Sequence, residues 1–186
     1  MTFNPEIHHR HSIRLKYYDY SRPGFYFVTL CAYHRECVFG DIEKNNIVLN
    51  ALGTLVKKNW HDLPVHFPGI ELDRMVVMPN HLHGIIVIRN DRRGGVSPPI
   101  KIIPTCRGAV IAPKGGRKTL GQMIAWFKYE STKEINRIVT GNPESKIWQR
   151  NFFDRIIRNE DELNRIRNYI VTNPETWEKD ENFVCL

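Results

Sequence analysis

Val76-Val77-Met78-Pro79-Asn80-His81-Leu82-His83-Gly84-Ile85-Ile86-Val87-Ile88 is the stretch on which the fold turns. Proline at the second position of Met78-Pro79-Asn80-His81 marks a tight turn. The apolar and β-branched residues around it predict two antiparallel strands, 71–78 and 81–88. The second strand is largely apolar on both faces, which places it inside a sheet. Side chains alternate across a strand, so His81 and His83 project from one face while Leu82 points the other way. Two adjacent imidazoles can share one divalent metal, although imidazole suits several. A hydrogen-bonded histidine pair at a strand end would give the same pattern, so the rest of the chain must decide.

Upstream, residues 25–33 are rich in aromatic and β-branched side chains and follow Pro23-Gly24, which predicts a strand. Leu52, Leu55, Val56 and Trp60 recur at helical spacing and predict a helix that stops before Pro64. Downstream, Thr119-Leu120-Gly121-Gln122 offers a capping box. It opens a helix that buries Leu120, Met123, Ile124, Phe127 and Ile135. Residues 146–157 read as a further strand. Asn159 then caps a last helix, with Glu160, Asp161 and Glu162 at the positive end of its dipole, running to about Asn173-Pro174. Strand, helix, strand, strand, helix, strand is the ferredoxin-like order. The expected fold is therefore α+β: a four-stranded antiparallel sheet, ferredoxin-like or RRM-like, with helices against it and one extra C-terminal helix.

That last helix carries the second informative group. At 100° per residue, Leu163, Ile166 and Ile170 form an apolar stripe, and Tyr169 falls about 90° to one side of it. Asn173, four residues on, shares the face of Tyr169. A rim tyrosine and a helix-stop asparagine would look the same.

With 186 residues, 41% hydrophobic and 25% charged, the chain has the composition of a globular domain, and we expect one domain over 1–186. No apolar run approaches the roughly 20 residues of a membrane span. Cys31, Cys37, Cys106 and Cys185 lack C-x-x-C spacing, so neither a zinc knuckle nor a disulfide framework is indicated. A cytoplasmic setting is expected. The net charge of +7 is concentrated. Arg89, Arg92, Arg93, Lys101, Arg107, Lys114, Arg117 and Lys118 face a single acid, Asp91, so segment 89–118 carries the whole surplus. Its Gly-Gly and Pro-Pro pairs read as a long loop, and its charge suits a polyanion, nucleic acid first. In an arm over 1–22, Arg10, His11, Arg14 and Lys16 interleave with Tyr17, Tyr18 and Tyr20, pairing phosphate-binding charge with stacking rings. A flexible tail with aromatic anchors is the other reading of that arm.

From residue 12 to 177 the chain resembles the Y1 tyrosine transposases of the IS200/IS605 type, most closely those associated with REP palindromes. The resemblance lies in Ser12-Ile13-Arg14-Leu15 with Tyr18-Asp19-Tyr20, Tyr26-Phe27-Val28-Thr29, the histidine–hydrophobic–histidine block of 76–85, Trp148-Gln149-Arg150 with Phe152-Phe153-Asp154, and Tyr169-Ile170 with Asn173-Pro174. Segment 89–118 matches nothing in that pattern and reads as an insertion. The resemblance implies that His81, His83 and Asn173 hold Mg²⁺ or Mn²⁺. It further implies that Tyr169 attacks single-stranded DNA beside a hairpin-forming palindromic repeat, giving a 5′-phosphotyrosine link. Arg10, Arg14, Lys16, Tyr18, Arg92, Arg93, Arg117, Lys118 and Arg150 are the expected DNA contacts. The site could be completed within a monomer or across a homodimer. Two other readings fit the same residues: a nucleic-acid-binding module without catalysis, and a metal-dependent phosphoesterase that uses water. No general base is legible.

Overall fold

The computed structural model describes residues 15, 17–89 and 118–183. The expected strand–helix order is present, with additions. Strand β1 (Gly24–Cys31) leads through a 3-10 turn to a small hairpin, β2 (Gly40–Glu43) and β3 (Asn46–Leu49). Helices α1 (Ala51–His61) and α2 (Leu63–His66) follow. β4 (Ile70–Met78) and β5 (His81–Ile88) come next, then α3 (Leu120–Ile135), which runs into a π turn, Asn136–Thr140. β6 (Phe153–Ile157) and α4 (Glu160–Thr172) close the chain, with a 3-10 turn at Pro174–Lys179.

The main sheet has the order β4-β5-β1-β6, and every pairing in it is antiparallel. This is the ferredoxin-like arrangement, with β5 and β1 in the middle. All eight residues of β5 are buried. The two strand faces serve different partners. Tyr26, Val28 and Leu30 of β1 and Leu82 and Ile86 of β5 join the core that contains Val56 and Trp60 of α1 and Met123 and Phe127 of α3. Phe27, Ile85, Val87 and Ile157 meet Leu163 and Ile170 of α4 on the other face. Helix α4 therefore lies on the sheet face that carries the histidines.

Close approach explains Gly84. A Cβ there would stand 2.4 Å from Cζ2 of the fully buried Trp60 ring, so the α1 indole fits against β5 only because this position has no side chain.

One expectation needs correction, and one element is new. The span 146–157 is not one strand. Only Phe153–Ile157 pairs along β1, while Trp148 makes an isolated bridge to Ala32. Lys128 Nζ donates to the carbonyls of Gln149 and Asn151 at 2.7 and 2.8 Å, so a side chain takes acceptors that a ladder would have used. The β2–β3 hairpin, unexpected from sequence, turns on Lys44 and Asn45 at φ +49° and +63°. Two successive left-handed residues favour the primed turns of two-residue hairpins. No helix among the described residues is long and apolar enough to cross a membrane.

Candidate active site

The site begins at the β4–β5 turn. Val76 and Thr29 flank His83 across the sheet, and Met78 and Cys31 flank His81. Both imidazoles stand on the α4 face, with their Nε2 atoms 2.9 Å apart. Burial pushes the His81 imidazole down to about 3, helped by the neighbouring His83, and burial lowers His83 as well. Both rings are thus neutral and offer lone pairs.

Tautomers follow from the groups behind the rings. Asn80 donates through Nδ2 to the Arg35 and Asn182 carbonyls, at 3.1 and 2.9 Å, so its Oδ1 faces His81 Nδ1 at 2.8 Å as an acceptor. His81 therefore carries its proton on Nδ1 and presents Nε2 bare. His83 Nδ1 lies 2.8 Å from Thr29 Oγ1. A hydroxyl can accept or donate, so His83 can give its Nε2–H to His81 or move the proton to Nδ1 and bare its own Nε2. In the second arrangement two nitrogens 2.9 Å apart match adjacent ligands of one octahedral ion, which stand about 3 Å apart.

Helix α4 supplies the rest. Asn159 caps it by accepting from Glu162 N at 2.8 Å, and Glu162 accepts from Arg158 N and Arg155 Nε. Leu163 and Ile170 are buried and Ile166 packs beside them. Arg167 clamps Asp73 of β4 through two bonds, 3.0 and 2.6 Å. The β4–β5 register shifts between Leu72 and Met75, and Asp73 sits in that irregularity. So held, Tyr169 brings its Oη 3.1 Å from His83 Nε2, with its ring edge against Phe27.

The 3-10 turn after α4 returns Asp180 to this point. Its Oδ2 accepts from Tyr169 Oη at 2.9 Å and Asn173 Nδ2 at 2.7 Å, while Oδ1 accepts from Asn182. Burial alone would raise this carboxyl, but the nearby His83, 3.8 Å away, and the bonds from Asn173 and the Asn182 backbone outweigh it and hold it well below the usual range. Burial, reinforced by the Asp180 charge, raises the Tyr169 phenol and keeps it protonated. Asn173 is 1% exposed, and its Oδ1 has no hydrogen-bond partner in the structure. A buried orphan acceptor costs about 1–3 kcal/mol, and a cation would satisfy it. His81, His83 and Asp180 place ligand atoms within 4.8 Å of one another. Imidazole nitrogens with carboxylate and amide oxygens fit a divalent ion of the Mg²⁺ or Mn²⁺ kind.

Not every expected contact is gathered here. Tyr18 packs its ring on Tyr20 and Tyr26 and bonds the Tyr26 hydroxyl at 3.2 Å. Lys118 and Arg150 are exposed. Arg10, Arg14, Lys16, Arg92, Arg93 and Arg117, with most of the 1–22 arm and the 89–118 segment, lie outside the described residues. Sequence reasoning missed Asp180, Thr29, Asn80 and the cations of the cleft in front of Tyr169. That cleft, about 790 Å³, is lined by Arg35, Arg155, Arg165 and Lys179 and by the acids Glu162, Asp180 and Glu181, with Phe152 and Phe153 beside them. Asn80 had a signal, its place in the turn before His81. Asp180 had none short of the fold.

No protein-family model matches the chain. An uncharacterised protein of Haemophilus influenzae is 40% identical over 183 residues, 98% of this chain and 97% of the relative. Among solved structures, a REP-associated tyrosine transposase bound to a REP hairpin overlays with a TM-score of 0.56 at 18% identity, over 90% of this chain and 74% of that one. A candidate transposase from Deinococcus radiodurans overlays at 0.47 and 14%, over 81% of this chain and 90% of that one. The chain therefore belongs to one family with the Haemophilus influenzae protein, and its α+β fold is that of the Y1 tyrosine transposases.

Proposed function

We propose that this protein cleaves and rejoins single-stranded DNA beside hairpin-forming palindromic repeats, with Tyr169 as nucleophile. The observation that carries the reading is the meeting of Tyr169 Oη with His83 Nε2 and Asp180 Oδ2, at 3.1 and 2.9 Å, at the head of an open cleft whose lining includes Arg35, Arg155, Arg165 and Lys179. His81, His83, Asp180 and the orphan Oδ1 of Asn173 would hold Mg²⁺ or Mn²⁺. When bound, such an ion polarises the scissile phosphate as a Lewis acid.

Tyr169 Oη forms a bond to phosphorus as the P–O3′ bond breaks, leaving a 5′-phosphotyrosine and a 3′-hydroxyl. The phenol proton leaves along its bond to Asp180 Oδ2 and passes on to water in the open cleft, and the departing O3′ takes a proton back from that water. The phenol is raised and the carboxyl lowered, so a resting phenolate is unfavourable. Proton transfer accordingly accompanies attack. Phe27 and the Arg167–Asp73 clamp hold the ring in line for it. Arg35, Arg155, Arg165 and Lys179 would meet the strand's phosphates, and Phe152 and Phe153 offer ring faces to its bases. Cleavage and the link's reversal make the protein a transposase of cytoplasmic DNA, with its site completed within one chain.

The test is denaturing electrophoresis of the protein with a labelled hairpin oligonucleotide and Mn²⁺. A covalent protein–DNA adduct is expected. Cleaved DNA without adduct would mean hydrolysis by water, and intact DNA would mean a binding module.

A further inference from the structure

Next to the catalytic cleft, across Gln149, the C-terminal half of α3 and segment 141–150 line a second, open cavity of about 820 Å³. Lys133, Arg137, Lys146 and Arg150 line it, and none of its lining residues is acidic. Tyr129 stands at its rim, 63% exposed, with Lys133 Nζ 5.7 Å from the ring centroid. An exposed aromatic face among cations of one sign is the composition of a single-strand binding surface, where rings take bases and cations take phosphates. Glu130 lies 3.6 Å from Lys133 and Glu134 is within electrostatic reach of Arg137, but neither is part of the lining.

The walls are built. Trp148, 7% exposed, anchors one wall through its indole N–H on Ser131 Oγ at 2.9 Å. Asn136 Nδ2 donates to the carbonyls of Pro143 and Ser145 and fixes the other. Helix α3 ends here in a π turn, Asn136–Thr140, and π turns occur frequently at functional sites.

Position makes the cavity relevant to the site already described. Gln149 lines both cavities. Its N–H is pinned to the Cys31 carbonyl of β1 at 2.9 Å and its carbonyl to Lys128 at 2.7 Å, so a fixed residue separates them.

We propose that this second cavity binds the unpaired nucleotides of the DNA strand as it runs on past Gln149 from the catalytic cleft. One base stacks on Tyr129, and the phosphates meet Lys133, Arg137, Lys146 and Arg150. The proposal rests on the DNA reading of the catalytic cleft.

Fluorescence anisotropy with 5′-fluorescein oligodeoxythymidines of increasing length tests it. Affinity should rise as the strand becomes long enough to span both cavities. Tyr129→Ala should weaken the long oligonucleotide roughly tenfold and the short one not at all, with Tyr129→Phe restoring it. Lys133→Gln with Arg137→Gln should lower the salt slope for the long strand by about 1.4, two phosphates at about 0.7 each. These side chains are exposed, so the variants should fold. Unchanged affinity and slope would overturn the proposal, as would losses equal for short and long strands. Cleavage is scored separately by denaturing electrophoresis, so the two claims fail separately. Length-dependent losses without any cleavage would keep the cavity and sink the nuclease. Cleavage without length dependence would do the reverse.

Discussion

Asn80 fixes which nitrogen His81 presents, and Thr29, by accepting at His83 Nδ1, lets His83 bare its own Nε2. Residues that orient metal-binding histidines typically contribute 10–100-fold to affinity. Thr29→Val should therefore weaken Mn²⁺ binding by roughly that factor in isothermal titration, and His81→Ala with His83→Ala should abolish the heat. An unchanged affinity in Thr29→Val would contradict the tautomer argument. At this scale the histidine pair was legible because strand period alone puts i and i+2 on one face. Tyr169 and Asn173 were legible as neighbours on one helix. Asp180 was not, since it reaches the site only through the 3-10 turn after Asn173, and no periodic pattern crosses that turn.

At the scale of elements, α4 is aimed by the pair of Arg167 and Asp73. Burial alone would raise the Asp73 carboxyl, but the Arg167 bonds and the Arg74 backbone outweigh it, so its folded pKa lies below the ordinary 3.8. A depressed carboxyl gives stability that is full above the unfolded value and is lost as pH falls through the folded one. Arg167→Ala should cost about 1–2 kcal/mol near neutral pH, discounted because the guanidinium is a third exposed, and should flatten the loss of stability below about pH 4. Thermal melts between about pH 3 and 7 would read both effects. Gly84→Ala belongs here too. Forcing a Cβ against Trp60 should cost about 1–3 kcal/mol by overpacking, and an unchanged melting temperature would mean that α1 shifts freely. Long periodic elements such as α3 and the β4–β5 pair were plain in the sequence. The β2–β3 hairpin was not, because its strands are four residues each and its turn uses Lys-Asn in place of a glycine. The 146–157 span is not one strand because Lys128, distant in sequence, claims the Gln149 and Asn151 carbonyls.

For the whole molecule, sheet order and helix placement explain why one face of an ordinary ferredoxin-like core becomes a site. α1 and α3 cover one face, and α4 covers the other only partly, leaving an open cleft beside the histidines. The strand–helix order was readable from pattern. The cleft's cations, drawn from β6, α4 and two turns, become a group only on folding. The charge surplus in 89–118 is a separate expectation. Neutralising Arg92, Arg93, Lys114, Arg117 and Lys118 should flatten the salt dependence of single-stranded DNA binding by about 0.7 for each phosphate that is no longer neutralised. An unchanged slope would reduce that segment to a plain loop.

Covalent capture of DNA by one phenol is the central claim, and Tyr169→Phe tests it most directly. The substitution removes one oxygen from a ring that is 40% exposed and flanks the apolar stripe, so fold, Mn²⁺ binding and hairpin affinity should stay close to those of the unaltered protein. On denaturing electrophoresis with a labelled hairpin oligonucleotide and Mn²⁺, the unaltered protein should give a protein–DNA adduct, and Tyr169→Phe should give neither adduct nor cleaved strand. An adduct that persists in Tyr169→Phe would assign the nucleophile to another residue, such as Tyr17, Tyr18 or Tyr20, and would contradict the account.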